Sequence, residues 1–193
     1  MSVSTDTRQI NKGQMFIALR GDNFNGNEFA LKAIEQGASY VVVDEGEFSD
    51  SRIIKVDDCL LFLQSIARFH RQQMNATILG IGGSNGKTTT KELLMSVLSI
   101  DKSIHSTKGN FNNHIGLPLT LLLLRPEHEL AIIEMGANKI GDIKELCDIA
   151  EPDMGLITNI GKEHLEGFGS IEGVAQAESE LFDYLLKRMV SHL

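Results

Sequence analysis

The feature that most restricts the fold of this chain is a glycine-rich heptapeptide, GSNGKTT, at positions 83–89. An apolar segment with the composition of a β-strand, residues 76–82, precedes it, and a segment with helical spacing, residues 87–100, follows it. Glycines let the backbone turn tightly so that several N–H groups point at one anion, and a helix N-terminus adds a partial positive charge. The order strand, glycine-rich loop, helix therefore predicts a phosphate-binding loop.

The residue types of this loop suit a nucleotide bound with Mg²⁺. Lys87 would place a positive charge beside the β- and γ-phosphates, and Thr88 would offer a hydroxyl to the cation. The predicted nucleotide-binding residues are Gly83, Ser84, Asn85, Gly86, Lys87, Thr88 and Thr89. The commoner P-loop pattern has a glycine where this chain has Ile81, so the shorter form G-x-x-G-K-T-T is present. That departure and the absence of an NKxD-like base-reading motif disfavour small GTPases. The simplest alternative to a phosphate-binding loop is a Gly/Ser turn that precedes a helix.

Strand-like and helix-like segments alternate along the whole chain. Predicted strands cover residues 15–19, 39–44, 76–82, 103–107, 130–135 and 154–160, and predicted helices cover residues 29–36, 57–73, 87–100, 115–124, 140–150 and 171–188. Such alternation predicts an α/β fold with parallel sheets, whose ligands bind at the carboxyl ends of the strands. We expect a small N-terminal α/β domain over residues 1–74 and a P-loop parallel-sheet ATPase domain over residues 75–193.

Composition and charge exclude several other classes of protein. The chain is 42% hydrophobic and 23% charged, and no apolar run approaches the roughly 18 residues that span a bilayer. The N-terminus lacks a basic region followed by an apolar stretch, so we expect a cytoplasmic protein. A net charge of −8 without a cluster of Lys and Arg argues against a nucleic-acid partner. Cys59 and Cys147 lie far apart in predicted helices, which favours two reduced core thiols over a disulfide.

Several further motifs, in this order along the chain, resemble those of the Mur ligase family. They are TDTR at 5–8, FIALRG at 16–21, KGNFNNHIG at 108–116, EMGA at 134–137, TNIG at 158–161 and HLEGF at 164–168. The resemblance implies a ligase of peptidoglycan-precursor synthesis that uses ATP and Mg²⁺ to make an amide through an acyl phosphate. The GNFNNxIG and EMGA motifs resemble the branch that adds D-alanyl-D-alanine to UDP-N-acetylmuramoyl-tripeptide, and these two molecules are the partners implied.

The resemblance also assigns residues to the catalytic and metal sites. Lys87, Glu134 and His164 would be catalytic, with Thr88 and Glu134 as ligands of a first Mg²⁺, since hard cations take oxygen ligands. His164 would bind a second metal that bridges the γ-phosphate and the substrate carboxylate. Judged alone, Glu134 could equally be an ion-paired or helix-capping carboxylate, and His164 a structural histidine.

Four further residues are implied to bind substrate. Asn112 and Asn113 would lie near the phosphates or the peptide substrate and donate amide hydrogen bonds. Thr7 and Arg8 would bind the uridine nucleotide in the first domain. The alternatives are that the two asparagines form a turn and that Thr7 and Arg8 belong to a solvated terminus.

One position departs from the family pattern. Family members usually have a carbamylated lysine where this chain has Glu178, and that lysine reaches roughly 3–4 Å farther from Cα than a glutamate does. We therefore expect the second metal to be bound weakly or not at all. The alternative for Glu178 is a solvated glutamate on an acidic helix face.

Compared with the three domains of the family, the chain is expected to begin slightly inside the first, to end within the second and to lack the third. On that expectation it makes no amide product by itself. Three alternatives stay open: a P-loop module that binds nucleotide without catalysis, a MurE-like ligase, and a folylpolyglutamate synthase, against which the first block of residues argues.

Overall fold

The structure is a computed structural model that describes residues 2–161 and 165–190, without the side chains of residues 165 and 166. The chain divides into two compact units, Met1–Ile66 and Ala67–Leu193. Each unit contains a parallel sheet, which confirms the predicted α/β class. The domain boundary at residue 74 stays a prediction. No helix among the described residues is long and apolar enough to cross a membrane.

The first unit is built on short strands. Its elements are β1 (Val3–Ser4), β2 (Met15–Ile17), β3 (Arg20–Gly21), β4 (Phe24–Asn25), α1 (Ala30–Glu35), β5 (Tyr40–Val43), β6 (Ile53–Lys55) and α2 (Cys59–Gln72), the last of which continues into the second unit. Four of these strands form a parallel sheet in the order β1-β2-β5-β6, and β3 and β4 form an antiparallel hairpin. A 3₁₀ helix, Thr7–Gln9, follows β1; it begins beside Asp6, whose carboxylate accepts a hydrogen bond from the Arg8 amide at 2.9 Å.

The second unit alternates strands and helices regularly. Its elements are β7 (Thr77–Gly82), α3 (Lys87–Leu98), β8 (Ile104–Ser106), α4 (Gly116–Leu121), β9 (Leu130–Glu134), α5 (Asp142–Ala150), β10 (Met154–Ile157), α6 (Leu165–Phe168) and α7 (Ile171–Val190). The four strands are parallel and lie in the order β10-β7-β9-β8. In this register Ile81 pairs with both Glu134 and Leu156. The carboxyl ends of β10, β7 and β9 therefore meet at one edge of the sheet.

Apolar side chains cover both faces of this second sheet. The larger cluster joins one face to α4, α5 and α7 and includes Ile78, Leu117, Ile133, Leu146 and Leu181. A smaller cluster of Ile81, Leu130 and Ile132 packs with partly buried residues that include Leu94 and Leu98 of α3. Both cysteines are free and buried, as predicted, and burial raises the pKa of each thiol to about 12.

A buried histidine lies on β8. The Nε2 atom of His105 donates a hydrogen bond to the carbonyl oxygen of Thr120 at 2.9 Å, and its ring stacks on His128 with 5.1 Å between centroids. Burial lowers the pKa of His105 below its ordinary value of 6.5, and the hydrogen bond to Thr120 opposes this shift only in part. The folded chain therefore favours the neutral form of His105 more strongly than the unfolded chain does.

This shift predicts a pH-dependent stability. His105 in the unfolded chain binds a proton near pH 6.5, whereas His105 in the folded chain binds it only at a lower pH. The free energy of unfolding should therefore fall as the pH drops below 6.5, and it should level off below the folded pKa. His105→Gln should reduce the acid dependence of the urea unfolding midpoint. His70→Gln is the control, because His70 contacts a carbonyl oxygen in the same way, 3.0 Å from Leu124. An equal effect of the two substitutions would contradict the assignment.

Candidate active site

The phosphate loop lies between β7 and α3, and two glycines with positive φ angles shape it. Gly83 has a φ of 114° directly after the strand, and Gly86 has a φ of 81° directly before the helix. Helix geometry leaves the amides of Lys87, Thr88 and Thr89 without intrahelical partners. A cavity of about 250 Å³ opens at this point, lined by Ser84, Asn85, Gly86, Lys87, Thr88, Thr89, Asn112 and Glu134. The structure thus brings eight of the predicted residues to one cavity.

The first half of the loop is fixed by the segment that follows β10. Asn159 accepts hydrogen bonds from the amides of Ser84 and Asn85, through its carbonyl oxygen at 3.0 Å and its Oδ1 atom at 3.2 Å. The Thr158 hydroxyl donates to the carbonyl oxygen of Asn85 at 2.6 Å, and the Gly161 amide donates to the Ser84 hydroxyl at 2.9 Å. Within the loop, the Lys87 ammonium donates to the carbonyl oxygen of Gly83. The TNIG motif therefore supports the phosphate loop.

Glu178 supports the same loop from α7. Its side chain is fully buried, and its Oε2 atom accepts a hydrogen bond from the Gly83 amide at 2.6 Å. The approach is close enough that a Cβ atom on the neighbouring Gly82 would lie 2.5 Å from Oε2. The reading of Glu178 as a solvated glutamate is therefore wrong, because the residue belongs to the buried face of α7. Its relation to a second metal stays a prediction.

A buried cluster of polar side chains lies behind the loop. The Thr88 hydroxyl donates to Oε2 of Glu134 at 3.1 Å, and Lys91 Nζ lies 3.2 Å from Oε1 of the same carboxylate. Lys91 Nζ also donates to the carbonyl oxygen of Thr107 at 2.7 Å, and the Thr107 hydroxyl accepts a hydrogen bond from the Glu134 amide at 2.9 Å. The ends of β8 and β9 and the first turns of α3 thereby hold Glu134 in one orientation.

The donor set of this cluster fits a hard divalent cation that also binds phosphate. Neighbouring oxygen ligands of an octahedral Mg²⁺ lie about 2.9 Å apart, since each Mg–O distance is about 2.0–2.1 Å; the Thr88 and Glu134 oxygens are 3.1 Å apart. Although Lys91 lies at ion-pair distance, Oε1 of Glu134 accepts no hydrogen bond of good geometry from the described residues. No group of three His, Cys, Asp or Glu side chains that could hold a metal alone occurs within residues 2–161 and 165–190.

The remaining residues predicted for this site fall in different places. Asn112 lines the cavity, and its carbonyl oxygen accepts from the Gly136 amide at 2.8 Å. The side chain of Asn113 accepts from the amides of Ile115 and Gly116 at 3.1 and 2.8 Å, where α4 begins. His164 lies outside the described residues. The functional roles of these three residues stay predictions.

Thr7 and Arg8 line a second cavity, which belongs to the first unit. Its volume is about 520 Å³, and its other lining residues are Thr5, Asp6, Phe24, Phe29 and Lys32. The rings of Phe24 and Phe29 stack with 5.4 Å between centroids, and Lys32 Nζ lies 6.0 Å from the Phe29 centroid. Arg8 is exposed and pairs with Asp6 at 2.8 Å. The cavity thus combines an aromatic surface with two cationic side chains.

Four further residues shape the site without having been predicted to do so: Lys91, Thr107, Thr158 and Asn159. Lys91 carried a signal, because it follows Lys87 by one helical turn and so lies on the same side of the helix. Thr158 and Asn159 follow a strand end, where ligand-site residues of parallel sheets gather. The hydrogen bond between the Thr107 hydroxyl and the Glu134 amide depends on the pairing of β8 with β9, which the sequence pattern did not reveal.

Two sequence families match almost the whole chain. The Mur ligase middle domain matches residues 81–191, and the Mur ligase family catalytic domain matches residues 1–71. The UDP-N-acetylmuramoyl-tripeptide–D-alanyl-D-alanine ligase of Bacillus subtilis is 42% identical over 186 residues, which are 95% of this chain and 41% of that protein. The chain therefore spans about two fifths of the length of this curated relative.

Solved structures agree with the sequence families. The crystal structure of MurF from Acinetobacter baumannii matches with a TM-score of 0.90 and 36% identity, over 95% of this chain and 41% of that one. MurF ligase from Thermotoga maritima in complex with ADP matches with a TM-score of 0.88 and 33% identity, over 95% of this chain and 43% of that one. From the middle-domain match over residues 81–191 and these structural matches, the chain belongs to the Mur ligase family.

Proposed function

We propose that this chain forms the ATP-binding and UDP-substrate-binding part of a Mur ligase that adds D-alanyl-D-alanine to UDP-N-acetylmuramoyl-tripeptide. The observation that carries the proposal is the Thr88–Glu134 oxygen pair, 3.1 Å apart, at the cavity of the phosphate loop. The names of the relatives from B. subtilis and A. baumannii support this branch over a MurE-like ligase. We further propose residues 1–74 as the UDP-substrate domain and residues 75–193 as the ATP domain, in a cytoplasmic enzyme.

The proposed reaction has two steps. A carboxylate oxygen of the tripeptide attacks the γ-phosphorus of ATP, and the bond to the β-phosphate oxygen breaks to release ADP. The amine of D-alanyl-D-alanine then attacks the acyl phosphate carbon, phosphate leaves with the electron pair of the C–O bond, and the nitrogen loses a proton. Both steps build up negative charge on phosphate or carbonyl oxygen atoms, so catalysis depends on placing the reactants and neutralising that charge.

The residues around the loop suit this chemistry. The free amides of the first turn of α3 would bind phosphate oxygens, and the Lys87 ammonium would offset charge on the β- and γ-phosphates. Thr88 and Glu134 would hold Mg²⁺, which supplies electrostatic stabilisation of the transferring phosphoryl group when bound. His164 remains the proposed ligand of a second metal. The loop itself is already positioned by Asn159 and Glu178.

The cavity of the first unit is proposed to bind the UDP portion of the substrate. The stacked rings of Phe24 and Phe29 offer an apolar face on which a pyrimidine could lie. Arg8 and Lys32 would attract the diphosphate. A second nucleotide site of this kind would distinguish the ligase from a P-loop module that binds only ATP.

Binding of UDP is the experiment that tests this function. The chain should bind both UDP and Mg-ADP in calorimetric titrations, and Arg8→Ala should weaken UDP binding by about tenfold without changing the affinity for Mg-ADP. Arg52→Ala is a matched control in the same unit, since Arg52 pairs with Asp50 two residues away just as Arg8 pairs with Asp6. Binding of Mg-ADP without any binding of UDP would favour the simpler module.

A further inference from the structure

Lys91 is a buried lysine on the helix that carries the phosphate loop. Only 2% of the Lys91 surface is exposed to solvent, and three oxygen atoms surround its ammonium group. They are the carbonyl oxygen of Thr107 at 2.7 Å, Oε1 of Glu92 at 3.0 Å and Oε1 of Glu134 at 3.2 Å. Because the Glu92 side chain is 66% exposed, water screens that pair, and Glu134 is the buried partner of Lys91.

The partner of this buried charge is the carboxylate proposed to bind Mg²⁺. Burial of an ammonium group is costly unless an opposite charge accompanies it, and Glu134 is itself only 1% exposed. One oxygen of Glu134 faces Lys91 while the other lies beside the Thr88 hydroxyl. A cation that binds at Thr88 and Glu134 must therefore share the carboxylate with a fixed positive charge.

Sharing of this kind has an electrostatic consequence. A free divalent cation would be repelled by Lys91, since both would sit on the same buried carboxylate, where solvent screening is weak. A cation that arrives with nucleotide phosphate brings negative charge with it, which offsets the repulsion by both Lys91 and Lys87. The arrangement therefore disfavours the metal alone much more than the metal–nucleotide complex.

We propose that Lys91 is a resident counter-ion of Glu134 that makes cation binding depend on nucleotide. It is a positioning residue, because it acts on the metal through Glu134 and does not itself line the cavity of the phosphate loop. The proposal rests on the proposed function, in which Thr88 and Glu134 hold Mg²⁺. It assigns to Lys91 the suppression of metal binding in the absence of nucleotide.

Binding of Mn²⁺, a paramagnetic substitute for Mg²⁺, tests this assignment without an activity assay. Titration followed by electron paramagnetic resonance should show that Lys91→Met binds Mn²⁺ alone at least about tenfold more tightly than the unchanged chain. Lys91→Arg keeps the charge and should behave like the unchanged chain. Lys102→Met removes an exposed lysine after α3 and should have no effect. In the double variant Lys91→Met/Glu134→Gln the gain should disappear.

The outcomes separate this inference from the proposed function. If the unchanged chain fails to bind Mn²⁺ even with ADP, the proposed function is wrong. If it binds Mn-ADP but Lys91→Met leaves the affinity for Mn²⁺ alone unchanged, Lys91 is only a structural partner of Glu134 and the inference is overturned.

Folding of the variant gives a second measurement. Should Lys91→Met fail to fold, the double variant Lys91→Met/Glu134→Gln, which removes both charges, should recover the thermal melting transition. That recovery would show that Lys91 neutralises Glu134. A double variant that stays unfolded would instead assign Lys91 to packing and contradict the counter-ion role.

Discussion

Lys87→Ala should weaken the binding of Mg-ADP or Mg-ATP by about 10- to 150-fold, which corresponds to the roughly 1.5–3 kcal/mol of a hydrogen bond to a charged group. The Lys87 ammonium lies over the loop, where it donates to the carbonyl oxygen of Gly83, so it is already placed beside the proposed phosphate position. Calorimetric titration measures the loss directly.

The control and a second readout sharpen this experiment. Lys102→Ala, which removes an exposed lysine of the same unit, should leave nucleotide affinity unchanged, and Lys87→Ala should leave UDP affinity unchanged. If the unchanged chain and Lys87→Ala bound Mg-ADP with equal affinity, the assignment of residues 83–89 as the phosphate loop would be wrong.

The largest loss of stability is expected for Gly83→Ala. An alanine at this position would have to keep a backbone φ of 114°, which L-residues rarely adopt. Its Cβ atom would lie 2.9 Å from the Thr158 amide nitrogen and 3.0 Å from the carbonyl oxygen of Asn159. Backbone strain and overpacking together should lower the free energy of unfolding by about 2–5 kcal/mol. Urea unfolding followed by circular dichroism gives the change in midpoint.

Gly86→Ala is the matched control for this substitution. Gly86 also has a positive φ, 81°, but a Cβ atom there would meet no atom within 4 Å. Only the conformational cost of about 1–2 kcal/mol remains. If Gly83→Ala were no more destabilising than Gly86→Ala, the close packing of the loop against Thr158 and Asn159 would not matter for stability.

The fold could be predicted from sequence where segments are long enough to show a period. The strands around the phosphate loop and the helices α3, α4, α5 and α7 begin and end within a few residues of their expected positions, as in Leu130–Glu134 against 130–135. The short helix α6 was not predicted. The short strands Val3–Ser4, Arg20–Gly21, Phe24–Asn25 and Ile53–Lys55 were not predicted. Two or three residues are too few to show an alternation, so only tertiary pairing reveals such strands.

The candidate site was predictable in part. Lys87, Thr88 and Glu134 meet because the carboxyl ends of parallel strands share an edge of the sheet. The hydrogen bonds of Asn159 to the loop join residues about 74 positions apart and depend on the pairing of β10 with β7, which sequence spacing does not encode. The solvated alternative for Glu178 was wrong because it rested on the charge of the residue alone, whereas Val174, Ala177 and Leu181 place Glu178 within a buried stripe of α7.

The support of the phosphate loop by Asn159 and Glu178 bears on the thermodynamics of nucleotide binding. Ordering a residue costs about 1–2 kcal/mol of conformational entropy. Here the amides of Gly83, Ser84 and Asn85 are already held before any ligand arrives. Much of that entropic cost is met during folding, so association with nucleotide should proceed without a slow loop-ordering step. It also follows that the strand–loop–helix segment excised from the chain would lose this preorganisation, because its supports lie more than 70 residues away in sequence.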